Sequence, residues 1–219
     1  IGSQMDVRMI PEVLIAADLG DGNNLVGIAP NVDVHITDYW GTSGGSYSPT
    51  NWALAVASST TANAVAQNNS WGFDQQYGAS SSSQPARIDD LVSYMNSNSV
   101  TGAETLVYYQ GIDKDSNGTF DVGAGSSQKT WTATNWNDYV DKLNTFQNTG
   151  IVVFALSNDS NSDDADISAG LPELFSELQE AWINTVNIEQ TGSTGATWTL
   201  QSSPCGSTAK YCLGADGTN

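Results

Sequence analysis

The segment Gly150-Ile151-Val152-Val153-Phe154-Ala155-Leu156-Ser157-Asn158-Asp159 decides how this chain is read. An unbroken apolar run from Ile151 to Ala155 follows a glycine and leads into a small polar turn. That is the pattern of a strand buried on both faces of a parallel sheet, with a loop at its carboxyl end. Open α/β sheets form their sites at that end of the strands, so Ser157, Asn158 and Asp159 are the first candidates for chemistry. The competing reading is a plain turn, a task Asn and Asp often fill.

On either side of this segment, helix-like and strand-like patterns alternate. Arg8–Leu19 has a short helical pattern, with Pro11 tolerable only in its first turn. Val32–Thr37 follows a loop and reads as a strand. Asn51–Ala66 is Ala-rich with a helical period, and Asn68-Asn69-Ser70-Trp71-Gly72 reads as the end of the next strand. Further on, the pattern predicts a helix over Ile88–Met95, a strand over Thr105–Tyr109 and a helix over Trp136–Asn148 started by Thr134 or Asn135. It then predicts a helix over Glu173–Ala181, a strand over Trp182–Ile188 and strand-like Ala196–Leu200. Such alternation argues for an α/β fold, a three-layer α/β/α sandwich with a mainly parallel sheet and helices on both faces. Residues 1–219 are expected to form one domain, with an insertion at about 73–134.

Composition narrows the function classes. A chain of 219 residues can bury a substantial single core. Six basic residues against 24 acidic ones give a net charge of −18, which argues against nucleic acid and anionic membranes as partners. No apolar run approaches the roughly 20 residues of a membrane span. Two cysteines, Cys205 and Cys212, lie close together. A local disulfide in a secreted or cell-surface protein is the favoured reading, over two free thiols.

Several stretches, in order along the chain, resemble subtilisin-like serine proteases of bacterial secreted and autotransporter type. Asp21-Gly-Asn-Asn-Leu-Val-Gly-Ile-Ala-Pro-Asn31 is similar to that family's G-x-x-G-V-A-P-N loop. Asn68–Gly72 resembles its N-x-S-W-G strand, and Gly150–Asp159 its G-x-x-V-V-x-A-A-G-N-D/E segment. Leu171-Pro172, Trp182-Ile183 and Cys205-Gly206 with Tyr211–Ala215 resemble the autotransporter pattern that leads to an A-P-G motif. The resemblance implies that Ser70, Trp71 and Gly72 pair with a substrate backbone and line its first specificity pocket, a strand-addition mode of binding. It also implies that the Asn158 side-chain amide donates to the oxyanion of an acyl-transfer intermediate. Ser157 stands where the family has Gly.

The family's catalytic triad is not matched. Its histidine opens an H-G-T-H-V-A-G-I-I-A-A helix, whose end aligns with Leu14-Ile15-Ala16-Ala17. Val7 then falls at the histidine position, with Arg8 and Met9 where Gly-Thr should stand. The nucleophile's G-T-S-M-A-A-P helix should follow the A-P-G motif, where this sequence reads Ala215-Asp-Gly-Thr-Asn219. His35, the one histidine, reads as structural. Without a base and a nucleophile the alkoxide-forming step has no carrier. The expectation is therefore a serine endopeptidase by descent, acting on peptides or proteins but inactive in this chain. It is either a central fragment or a degenerate homologue. The rival is a non-catalytic peptide-binding or scaffold domain. Truncation of a closed sheet would leave apolar edges uncovered, so self-association through the truncated ends is expected.

Two acidic stretches remain. Asp113, Asp115, Asn117 and Asp121 stand at positions 1, 3, 5 and 9 of a calcium-loop pattern, with Gly118 at the turn and Thr119 beside it. Position 12 is Ala124 rather than Glu, so the alternatives are a Ca²⁺ site and an acidic surface turn. Asp159, Asp163, Asp164 and Asp166 read as a solvated loop, and Glu173, Glu177 and Glu180 as one wet helix face. Trp71, Trp182 and Trp198 lie in strand contexts that explain them as packing, which leaves little case for sugar binding.

Overall fold

The computed structural model describes residues 32–37, 48–71, 88–110, 131–158, 162–191 and 197–216. The chain divides into two compact units, Ile1–Thr37 and Asp38–Asn219. In the first, residues 32–37 lie outside regular secondary structure, and Val32, Val34 and Ile36 are exposed. The strand expected there is not formed. Apolar alternation makes a strand only where a partner takes up the backbone groups and one face is buried.

The second unit is of α/β class, and its described residues form a mixed sheet of five strands. These are β1 (Ala66–Asn69), β2 (Ile151–Ala155), β3 (Trp182–Thr191), β4 (Thr197–Leu200) and β5 (Cys212–Asp216). β1 with β2, β2 with β3, and β3 with β5 pair in parallel; β4 runs antiparallel to β3. Leu156 N donates to Thr185 O at 3.0 Å, while Asn187 O accepts from Gln201 N at 2.9 Å and Asn187 N donates to Ser202 Oγ at 3.0 Å. Alternate residues of a strand offer their backbone groups to the same edge. β2 and the segment leaving β4 therefore share one edge of β3, and the end of β2 runs into Gln201–Ser203. There Ser203 N donates to Ser157 O at 2.7 Å.

Among the described residues there are five α-helices, α1 (Pro49–Thr61), α2 (Ile88–Asn98), α3 (Gly102–Gln110), α4 (Ala133–Gln147) and α5 (Ile167–Leu174), of which α4 and α5 lie against β2. Ser48 caps α1 and Pro49 occupies its first turn, where its missing N–H costs nothing. The strand expected over Thr105–Tyr109 is instead part of α3. Thr101 N donates to Glu104 Oε2 at 2.8 Å and Glu104 N to Thr101 Oγ1 at 3.2 Å. This reciprocal cap starts a helix whatever the β-branched residues beyond it prefer. Thr132, not Thr134 or Asn135, opens α4, by the same exchange with Asn135. The helix expected over Glu173–Ala181 lies earlier, at Ile167–Leu174, because Asp166 caps it; a short 3₁₀ helix, Ser176–Leu178, follows. Glu173, Glu177 and Glu180 thus share no single helix face. Glu173 is half-buried and pairs with Lys210 at 3.1 Å.

The core gathers on one face of the sheet, on Val152, Phe154, Trp182 and Val186. Trp52 of α1 is its aromatic centre, with Trp71, Trp131, Tyr139 and Trp136 within 5.0–5.8 Å, centroid to centroid. Phe154 stacks on Trp182 at 5.0 Å. On the other face Ile151 is exposed, and Val153 and Ala155 are half-buried. β2 is therefore fully buried on one face only, where double-sided burial was expected.

Cys205 and Cys212 form a disulfide that brackets a 3₁₀ helix, Gly206–Tyr211. Asp164 reaches into this loop, with Oδ1 accepting from Ser207 N at 2.6 Å and Oδ2 from Ser207 Oγ at 3.0 Å. Oδ2 also accepts from Asp89 N, in the first turn of α2, at 3.0 Å. Gly206 has φ +45°, and an added Cβ would overlap Asp164 Oδ1. Gly206→Ala should cost about 2–4 kcal/mol, from left-handed strain plus displacement of the carboxylate. A urea melt with an unchanged midpoint would show that the loop absorbs the methyl group.

Candidate functional site at the carboxyl ends of β1 and β2

Parallel pairing puts the two carboxyl ends side by side. Asn69, the last residue of β1, is in register with Phe154. Ser70 and Trp71 follow β1, and Leu156, Ser157 and Asn158 follow β2. Ser70 and Asn158 are exposed, and Ser157 is half-buried. Gly72 and Asp159 lie outside the described residues.

Trp71 is not an open pocket wall. Its ring packs on Trp52 at 5.0 Å and on Phe154 at 5.6 Å, and its Nε1 donates to Asn69 Oδ1 at 3.2 Å. Asn69 is buried and its Nδ2 donates to Val153 O at 3.3 Å, tying the end of β1 to β2. The indole thus fixes the position of the Ser70–Trp71 backbone from below. Ser70 Oγ lies 3.1 Å from Asn68 Nδ2.

The turn that carries Asn158 is held on both sides of Ser157. Ser157 O accepts from Ser203 N, and Ser157 N donates to Asp166 Oδ2 at 3.1 Å. Asp166 Oδ1 accepts from Ser168 N at 2.9 Å and Ala169 N at 3.1 Å, capping α5. Burial pushes the Asp166 carboxyl up to about 6, against the pull of the backbone donors toward the charged form. These contacts anchor the backbone that leads into the exposed Asn158.

The acidic loop differs from its expectation. Asp163 is exposed, but Asp164 and Asp166 are buried, each serving as an acceptor for backbone N–H groups from separate segments. Sequence reasoning missed both. A signal existed for Asp166, since an Asp directly before the apolar run Ile167-Ser-Ala-Gly-Leu171 is a helix-start pattern. None existed for Asp164, whose partners lie on α2 and in the disulfide loop. The calcium-loop residues Asp113, Asp115, Asn117, Thr119 and Asp121 lie outside the described residues. Among the described residues no group of three or more His, Cys, Asp or Glu could hold a metal, and no helix is long and apolar enough to cross a membrane. His35 is an exposed residue of the first unit.

Neither a family model, a curated protein nor a solved structure matches this chain.

Proposed function

We propose that this chain carries the peptide-docking edge and the oxyanion-stabilising amide of a subtilisin-like serine endopeptidase, on a three-layer sandwich of that type. Ser70–Gly72 would pair with an extended peptide, and Asn158 would donate to the carbonyl oxygen of the residue at the scissile position. The observation that carries this is the pairing of β1 with β2, which sets Ser70 and Asn158 at one carboxyl edge of a parallel sheet. Such edges are where α/β sheets bind ligands. A peptide added at β1 would gain affinity from main-chain hydrogen bonds. A second reading, a peptide-binding domain that does not cleave, is favoured by Val7 standing where the resemblance expects the histidine.

Both readings predict binding without turnover for these 219 residues. A short N-acetylated peptide ending in a free carboxylate resembles the acyl-side product, and it is the probe for calorimetric titration. Binding should be measurable at micromolar to millimolar concentration. Asn158→Ala should weaken it about three- to tenfold, the worth of one net hydrogen bond. No heat at millimolar peptide, or equal affinity in the variant, would remove the groove. Turnover of a fluorogenic peptide by this chain would overturn the assignment of the missing steps.

A further inference from the structure

We propose that Asp166 is the positioning residue of the Ser157–Asn158 turn, locking the residue ahead of Asn158 to the amino end of α5. Its two oxygens do separate jobs. Oδ1 takes the Ser168 and Ala169 N–H groups, as a helix cap does; Oδ2 takes the Ser157 N–H from a different segment. A cap alone asks for one acceptor oxygen, and Ser, Thr or Asn supply it without placing a carboxylate out of solvent. Asp166 is buried, so the second acceptor answers to something besides capping. With Ser203 N on Ser157 O, both backbone polar groups of Ser157 are taken, and Asn158 leaves a fixed point. The backbone entering Asn158 is therefore fixed at Ser157, which lowers the ordering cost of an interaction made by the residue that follows. The tether itself is independent of the function proposed above; only its consequence for peptide binding rests on that reading.

Asp166→Asn separates the two jobs. The amide oxygen still caps α5, while the amide nitrogen cannot accept from Ser157 N. Asp166→Ser is the second variant, capping with one oxygen and too short to reach Ser157. Backbone amide exchange, read by ¹⁵N-resolved NMR, should accelerate at Ser157 by about tenfold or more, with Ser168 and Ala169 still protected. The backbone amide resonance of Asn158 should shift toward its random-coil position. With the carboxylate-ended peptide, Asp166→Asn should weaken binding as Asn158→Ala does, and the double variant should be no weaker than Asn158→Ala alone. Unchanged Ser157 exchange, or an unchanged Asn158 backbone resonance, would overturn the proposal. So would additive losses in the double variant, which would mean that Asp166 acts on the fold and not through Asn158. If the peptide fails to bind even the parent chain, the function proposed above falls, while the exchange and resonance data still decide the tether.

Discussion

Phe154→Ala is expected to cost about 3–5 kcal/mol of folding free energy, enough to leave a domain of ordinary stability partly unfolded at room temperature. Phe154 is fully buried at the middle of the sheet, between β1 and β3. Its ring stacks on Trp182 and meets Trp71 edge-on, so truncation empties a site walled by rigid indoles. Those rings cannot collapse into the space, which places the loss at the upper end of the range for large-to-small changes. Ile151→Ala, on the same strand, is the control. Ile151 is exposed, and the loss there should stay below about 1 kcal/mol. Urea unfolding of both variants gives the comparison. Equal losses would mean that the buried face of β2 has been assigned to the wrong residues. The same change should also loosen the candidate site, because Trp71, which fixes the end of β1, rests on Phe154. A folded Phe154→Ala variant should therefore bind the carboxylate-ended peptide more weakly than the parent.

The sequence made β2 legible because a β-rich apolar run bounded by Gly150 and a polar turn has few alternative readings. Trp182 onward was legible for the same reason, and the parallel pairing of the two follows from the helices between strands. The failures share a cause. Thr105–Tyr109 looks like a strand by composition, yet Thr101 and Glu104 close a cap ahead of it, and the cap decides. Val32–Thr37 alternates correctly but remains outside any strand. The acidic loop was misread because burial of a carboxylate depends on donors brought from elsewhere. Asp164 gathers N–H groups from α2 and from the disulfide loop, and no local pattern announces contacts of that range. For the proposed site, Ser70 and Asn158 are singled out by the resemblance alone, and what the fold adds is that they follow two neighbouring parallel strands and that the Ser157 backbone is tied down. The Asp166 tether is invisible in sequence because its two ends are joined by a side chain rather than by spacing.

The pH dependence of stability should carry the signature of that buried carboxyl. Asp166 rises from an ordinary 3.8 to about 6 in the folded chain, first because burial penalises its charge, with the Ala169, Ser157 and Ser168 N–H groups only partly offsetting this. The folded state thus holds the proton more tightly than the unfolded state does. The corresponding stability is fully present below pH about 4 and is lost as pH rises through about 6. Roughly two pH units at 1.36 kcal/mol each amount to about 3 kcal/mol. With 24 acidic residues, the raw profile of the parent chain sums many titrations, so the informative quantity is the difference from Asp166→Asn, which removes this one. The stability of the parent minus that of the variant should fall by about 3 kcal/mol between pH 4 and pH 6.5 and stay level above pH 7. Urea unfolding of both proteins across that range tests it. A flat difference would mean that the three N–H donors stabilise the carboxylate as fully as water does, and that burial of Asp166 carries no electrostatic cost. A rising difference would mean that they stabilise it more than water does. In that case the tether to Ser157 would be strongest in the ionised form, and the Asn158 turn would loosen in acid.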